Sequence, residues 1–215
     1  MCEKHKLLFP NRDKIKVRCW DRGYAVDRDS FHGNGAPAEY YDAIYTDGSH
    51  IDANSGCGVV HYKRGKIQYL ASIRLNPEAT VFQAEVEAIR VAADYLKQTK
   101  GNGEIIKIFS DSRAALLALA TPFVESKVVH KTVKALKEAR EAGYVISLHW
   151  VRAHIDTEGN ECADHLAKTG ALHSTKIHKL PISNCVVKAK IKEMTDTKWK
   201  QRWQDTVLGL SLIHI

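Results

Sequence analysis

The order of strand-like and helix-like segments between residues 43 and 173 constrains the fold more than any other feature of this sequence. AIYTDGS is a short apolar run, and SGCGVVHYKRGKIQYLASIRL contains two β-rich runs around a turn at residues 63–66. A helix is predicted from Thr80, a candidate N-cap, towards Gly101, a candidate stop. Two further strands and three further helices are predicted, in the order EIIKIF, SRAALLALA, KVVHKTVKALKEAREAG, YVISLHWV and TEGNECADHLAKTGAL.

These segments predict an α/β fold. The first three strands have short connections and should pair antiparallel, whereas the last two follow helical crossovers and should lie parallel to a neighbour. The expected architecture is a five-stranded mixed sheet flanked by helices.

The chain is predicted to divide into four segments. Residues 1–40 carry a basic cluster and a turn-rich spacer, and we expect a linker or the remnant of an upstream segment. The folded domain is placed at 41–173 and a basic, partly helical tail at 174–209. The last residues, 210–215, read LSLIHI and resemble a translated sequencing-adapter end, so we expect an artefact there. Amplification from the source nucleic acid that finds these codons in place would disprove this.

Composition favours a polyanionic partner. Lys and Arg number 32 against 25 Asp and Glu, which gives a net charge of +7.

The longest apolar run is the seven residues of Ala114–Ala120, whereas a membrane helix needs about 20, and the N-terminus does not resemble a secretory signal. Five scattered cysteines without a C-x-x-C favour reduced thiols. We therefore expect an intracellular protein, in the cytoplasm or nucleus, without a membrane segment.

Glu85 is the most informative single residue. It lies at the centre of the apolar stripe of its predicted helix, on the face that should be buried. A buried carboxylate is costly unless a cation or strong donors compensate. The ordinary alternative is that Glu85 faces water near the helix start. Glu87 is predicted to lie on the outer face of the same helix.

Each of three aspartates has an ordinary structural explanation when it is considered alone. These separate explanations are less convincing when the three aspartates are considered together. Asp47 could belong to an Asp-Gly turn, Asp111 could cap a helix, and Asp164 could interact with a helix dipole. However, the predicted topology can bring all three, with Glu85, to one place. Four anions there would repel one another by several kcal/mol. A pair of divalent cations held by oxygen ligands, Mg²⁺ or Mn²⁺, resolves this and suits phosphodiester displacement.

Five motifs in order resemble the type 1 ribonuclease H domain over about residues 43–170. They are TDGS, FQAExxAI, SDS, WVRAH and GNExAD, and their form is similar to that in non-LTR retrotransposon polyproteins. The resemblance implies an endoribonuclease that hydrolyses the RNA strand of RNA–DNA hybrids with two Mg²⁺ ions, for which Mn²⁺ can substitute. It also implies a reverse transcriptase upstream in the same polyprotein.

The family's catalytic set falls on Asp47, Glu85, Asp111, Asp164 and His154. The resemblance implies that Asp47 bridges both metals and that Asp164 helps to hold the metal that activates water. Glu85 and Asp111 would hold the metal on the leaving-group side. His154 would assist proton transfer or product release.

Substrate contacts are predicted from the same resemblance. Ser49, Asn54 and Ser112 would help to read the 2′-OH of the RNA, and Thr80 matches a threonine that touches a DNA phosphate. Residues 119–131 contain no large basic-aromatic protrusion of the kind that some members use to grip substrate. We therefore expect low intrinsic affinity for the hybrid.

Several interpretations stay open on the sequence alone. Residues 186–203 could form a basic amphipathic helix, either packed on the domain or in contact with nucleic acid. A zinc set of His149, His154, Cys162 and His165 is disfavoured because its spacing is unusual. The chain could also be a related nuclease that acts on DNA, or a catalytically silent module that binds hybrids. Cleavage of hybrid but not of duplex DNA, and Mg²⁺-dependent turnover, would distinguish these functions.

Overall fold

Seven strands form one mixed sheet at the centre of the unit that runs from Asp13 to Pro181. The computed structural model describes residues 11–32, 42–153 and 157–211. The sheet order is β7-β4-β3-β2-β5-β6-β1. The strands are β1 (Tyr24–Asp27), β2 (Ala43–Ile51), β3 (Asn54–Lys63), β4 (Lys66–Leu75), β5 (Glu104–Ser110), β6 (Tyr144–Trp150) and β7 (Ile177–His178). The unit's helices are α1 (Val81–Gln98), α2 (Arg113–Ala120), α3 (Lys127–Glu141) and α4 (Glu158–His173).

The pairing confirms the predicted fold. Strands β2, β3 and β4 are antiparallel, and β5 and β6 continue the sheet in parallel from β2. The predicted count of five strands is too low, because β1 adds parallel to β6 and β7 adds parallel to β4. These strands have four and two residues, which is too short for an alternating pattern to be recognised.

Alternation along the strands divides the core between two faces. Ile44 and Val59 point into the large cluster that includes residues of α1, α2 and α3. Their neighbours Tyr45 and Val60 point the other way and pack with Ala163 of α4. Since successive side chains of a strand project to opposite faces, the sheet is covered by helices on both sides.

Helix α1 begins with a reciprocal cap. Thr80 Oγ1 accepts a hydrogen bond from the Gln83 backbone N–H at 3.2 Å, and Gln83 Oε1 accepts one from the Thr80 N–H at 3.2 Å. The Gln83 side chain is buried, and its Nε2 donates to Asp13 Oδ2 at 3.0 Å. The predicted N-cap is thus observed, whereas the helix ends at Gln98 instead of reaching Gly101.

Glu87 lies in the interior, so its predicted place on the outer face of α1 is wrong. Its side chain accepts hydrogen bonds from Arg90 Nε at 2.9 Å and Arg90 Nη2 at 2.5 Å, and His178 Nε2 lies 3.0 Å from Oε1. Although burial raises the pKa of Glu87, these hydrogen bonds outweigh it and lower the pKa below its ordinary value. The helix period alone could not show that Arg90 and β7 cover this face.

The second unit comprises residues 1–12 and 182–215. Its helix α5 spans Asn184–Ser211. Apolar and basic residues are not separated on opposite sides of α5, however. At 100° per residue, Trp199 projects within about 20° of Lys188 and Lys192, and all three are exposed. Among the described residues, no helix combines the length and apolar character that crossing a bilayer requires.

Candidate active site

Asp47 and Asp111 lie at the same level of two adjacent parallel strands, β2 and β5. Thr46 of β2 is in register with Ser110 of β5, and each is followed by one of the two aspartates. Strand β2 does not stop at Asp47, as the turn interpretation of Asp-Gly required, but continues to Ile51. Asp47 therefore lies within a strand and is paired with Gly58 of β3.

Glu85 reaches this place because α1 crosses β2 at Gly48. A Cβ atom at Gly48 would lie 2.4 Å from the Glu85 backbone nitrogen and 2.6 Å from the Ala84 carbonyl carbon. Only glycine permits so close an approach of a helix backbone to a strand. The Asp-Gly pair is thus a helix-packing position that brings Glu85 beside Asp47.

Three carboxylates form one oxygen-lined cluster. Ligand oxygens of Asp47, Glu85 and Asp111 lie within 4.8 Å of one another. Asp47 and Glu85 are each only 6% exposed, and the buried Glu85 Oε2 has no hydrogen-bond partner. Because a buried, unpartnered carboxylate oxygen is costly and an all-oxygen donor set suits hard cations, these residues fit a divalent metal ion.

Burial and mutual repulsion shift the protonation of the cluster. Burial, followed by the charges of Asp111 and Asp164, raises the pKa of Asp47 to about 7, against a smaller lowering by the Gly48 backbone N–H. Burial and the charge of Asp47 likewise raise the pKa of Glu85 well above its ordinary value. Lys168 also lowers the pKa of Asp47, but by less than burial and the neighbouring carboxylates raise it.

We expect the destabilisation that ionised Asp47 causes in the metal-free protein to be relieved as the pH falls from 8 to 5. Folding raises the pKa of Asp47 from 3.8 to about 7, so over this range the folded state binds a proton that the unfolded chain releases. Such a shift corresponds to at most about 4 kcal/mol. Asp47→Asn should raise the free energy of unfolding at pH 8 and flatten its pH dependence, as measured by urea unfolding in EDTA. Asp205→Asn, at an exposed site, is the control, and an unchanged slope for Asp47→Asn would contradict the prediction.

Asp164 is placed beside the cluster on α4. Its Oδ2 accepts a hydrogen bond from Lys168 Nζ at 2.6 Å, and its charge contributes to the raised pKa of Asp47. Lys168 was not predicted as a site residue, although its i, i+4 spacing from Asp164 was an available signal. His154 lies outside the described residues.

Asp111 does not cap α2, because Ser112 does. Ser112 is the N-cap residue, and its Oγ accepts from the Ala115 backbone N–H at 3.4 Å. The Asp111 carbonyl oxygen accepts from Trp150 Nε1 at 2.9 Å, and the Arg113 guanidinium lies 4.0 Å from the centre of the Trp150 ring. Trp150 therefore supports the Asp111 backbone.

Three of the four predicted substrate contacts, Asn54, Thr80 and Ser112, already have side-chain partners within the protein. Ser49 is buried, and the Thr80 and Ser112 hydroxyls serve as helix caps. Asn54 Oδ1 accepts from Arg74 Nη2 at 2.7 Å, which makes Arg74 a neighbour that sequence reasoning missed. Their roles towards a substrate stay predictions.

The zinc interpretation finds no support around His149. Its Nδ1 lies 2.9 Å from Asp27 Oδ2 and its Nε2 lies 2.9 Å from Ser147 Oγ, so both ring nitrogens are engaged. Within the described ranges, the cluster of Asp47, Glu85 and Asp111 is the one group of three or more acidic, His or Cys ligands that could hold a metal.

Two sequence comparisons point to one family. The RNase H family model matches residues 40–172. A protein described as Ribonuclease H from Orientia tsutsugamushi (strain Boryong) is 28% identical over 157 residues, which cover 63% of this chain and 85% of the relative.

Solved structures agree with these matches. The N-terminal RNase H domain of a Mycobacterium tuberculosis protein, solved as a fusion with maltose binding protein, has a TM-score of 0.50 at 18% identity and covers 60% of this chain and 97% of its own. The foamy viral protease-reverse transcriptase, solved in complex with dsDNA, has a TM-score of 0.50 at 25% identity and covers 65% and 99%. The first likeness concerns the fold alone. Since the family model spans more than half of the sequence, the chain belongs to the RNase H family.

Proposed function

We propose that this chain is an endoribonuclease that hydrolyses the RNA strand of RNA–DNA hybrids with two Mg²⁺ ions, for which Mn²⁺ can substitute. The observation that supports this most is the cluster of Asp47, Glu85 and Asp111, with the buried and unpartnered Glu85 Oε2. Membership of the RNase H family supports the nuclease activity, and the cluster supports the metal dependence.

Four carboxylates would hold the cations: Asp47, Glu85, Asp111 and Asp164. Asp47 is proposed as the central group, as the family resemblance implies. The charges of Asp111 and Asp164 raise its pKa and also that of Glu85. When bound, divalent cations supply stabilisation of the charge that develops on the phosphate and lower the pKa of a water molecule. Lys168 neutralises Asp164 at 2.6 Å and would compete with a cation for it.

Other residues are proposed to act on substrate and products. His154 would assist proton transfer or product release, and the products would carry a 3′-OH and a 5′-phosphate. Ser49, Asn54 and Ser112 would lie near the 2′-OH, and Thr80 near a DNA phosphate.

The proposed setting is a retroelement polyprotein, in which this RNase H domain occupies residues 41–173. The non-LTR resemblance of the motifs supports this, as does the likeness at 25% identity to a viral protease-reverse transcriptase. A reverse transcriptase reading frame immediately upstream in the gene is the expected finding. Sequencing the source locus and finding an unrelated gene there would reject this setting.

Cleavage of an end-labelled hybrid tests the activity. We expect cuts in the RNA strand with Mg²⁺ or Mn²⁺ and none with EDTA, while duplex DNA of the same sequence stays intact. Cleavage of duplex DNA would favour a nuclease that acts on DNA. Tight hybrid binding without Mg²⁺-dependent cleavage would favour the silent binding module.

The basic tail is expected to contribute affinity but no chemistry. Changing Lys188, Lys190 and Lys192 to alanine should weaken hybrid binding similarly for all sequences and lower the slope of log K against log salt by about 2 to 3. The rate at saturating substrate should barely change, as measured by single-turnover cleavage. A large loss of that rate with binding intact would count against this role.

A further inference from the structure

A strip of basic and aromatic side chains lies on the extended segment that follows Asp13. Alternate residues of this segment are exposed, while those between them point inward: Ile15 and Cys19 pack against the main core. This alternation is that of a strand with one face buried. We call the exposed set the N-terminal strip: Lys14, Lys16, Arg18 and Trp20.

The N-terminal strip is held in place by backbone hydrogen bonds. The Ile15 N–H donates to the Glu125 carbonyl at 2.9 Å, and the Cys19 N–H donates to the Pro122 carbonyl at 2.8 Å. Between these bonds, Val17–Arg18 pairs antiparallel with Phe123–Val124. A ligand would therefore meet side chains on a backbone that is already ordered.

The strip ends in an exposed aromatic pair. Trp20 is 71% exposed and Phe123 is 55% exposed, and their rings meet edge to face with centroids 6.3 Å apart. The Arg18 guanidinium lies 5.2 Å from the centre of the Phe123 ring. Large aromatic side chains grouped at a surface, next to a cation, mark an interaction site.

The charge around the strip favours an anion. Three of its four residues are cationic. The exposed Glu125 places a negative charge near these cations. Glu125 and Phe123 are both exposed and Val124 between them is buried, so Glu125 lies on the same face of its strand as Phe123. Asp21 follows the strip but is paired with Lys137 at 3.6 Å and Arg140 at 3.4 Å.

We propose that the N-terminal strip binds single-stranded nucleic acid. Phosphates would contact Lys14, Lys16 and Arg18, and an unpaired base would stack on the exposed Trp20 ring beside Phe123. Single-strand sites combine a cationic track with aromatic faces, and a duplex keeps its bases stacked and unavailable to such a platform. The proposal concerns binding and holds whether or not the carboxylate cluster is active.

Fluorescence anisotropy of a fluorescein-labelled 20-nucleotide poly-dT strand tests the proposal, with the full chain in EDTA so that no cleavage occurs. The triple change Lys14→Ala, Lys16→Ala and Arg18→Ala should weaken binding at least tenfold and lower the salt slope by about 2. The triple change Lys66→Ala, Lys100→Ala and Lys179→Ala removes the same charge from exposed positions elsewhere and should change binding less than twofold.

Three single changes at two positions separate stacking and charge from loss of folding. Trp20→Ala should weaken binding about tenfold, whereas Trp20→Phe should retain most of it. Glu125→Gln should strengthen binding about two- to threefold, a gain that a misfolded protein would not produce.

Equal binding by the two triple variants would overturn the proposal. The proposal would also be overturned if duplex DNA competed for binding as effectively as single-stranded DNA. The same holds if no strip variant changed poly-dT binding, and the strip would then be assigned to binding a protein partner. Because the binding assay is run in EDTA and needs no cleavage, failure of strip binding is distinguishable from failure of the proposed hydrolysis.

Discussion

Replacing Asp47 by asparagine is expected to reduce Mg²⁺-dependent cleavage of an RNA–DNA hybrid by at least about 1000-fold. Asp47 is the central acid of the cluster, and its loss would weaken both proposed metal positions at once. Glu85→Gln and Asp111→Asn should also nearly abolish cleavage, because each removes one of the three clustered carboxylates. The measurement is single-turnover cleavage of a labelled hybrid, with Asp205→Asn as a charge-matched control at an exposed site.

Folding must be checked in the same variant. Because asparagine relieves repulsion in the metal-free cluster, Asp47→Asn should melt at or above the temperature of the wild type at pH 8 in EDTA. Loss of activity together with retained stability would assign the effect to chemistry. Substantial cleavage by folded Asp47→Asn in Mg²⁺, or by the wild type in EDTA, would refute the two-metal proposal.

Gly48→Ala is expected to lower the free energy of unfolding by about 3 kcal/mol or more and to impair cleavage as well. The added Cβ would lie 2.4 Å from the Glu85 nitrogen and 2.9 Å from the Ala84 Cβ, so α1 would have to move away from β2. Since α1 carries Glu85, the same movement would separate Glu85 from Asp47. Urea unfolding and hybrid cleavage report the two consequences.

Gly103→Ala is the matched control. Gly103 has a φ of +77°, but a Cβ there would meet nothing within 4 Å. Its cost should therefore be limited to backbone strain of about 1 kcal/mol. If Gly48→Ala lowers the free energy of unfolding no more than Gly103→Ala does, the close packing of α1 on β2 at Gly48 is not important for stability.

Local spacing was sufficient for several predictions about this chain. The apolar stripe of α1 placed Glu85 on the buried face, and Thr80 was recognised as a helix cap. The order of strands and crossovers predicted which strands run parallel. These features depend on the 2-residue and 3.6-residue periods and on cap chemistry, which are properties of neighbouring residues in the chain.

Other features depend on residues far apart in the chain. Glu87 is buried where the remote His178 of β7 binds its carboxylate, and β1 is a strand because it pairs with β6. Neither could be predicted from a helical or alternating pattern, since the deciding partner is remote or the segment is too short.

Motif and periodicity were sufficient to identify the acids of the site. The distances between their carboxylates could be determined only from the tertiary structure. The register of Thr46 with Ser110 and the passage of α1 over Gly48 bring three carboxylates within 4.8 Å. Asp164, from α4, raises the pKa of Asp47 further. The spacing of residues along the chain determines which side chains of a helix or strand face inward. The burial of the carboxylates and the repulsion between them depend on distances in space. Those distances are set only when strands and helices from separate parts of the chain pack together.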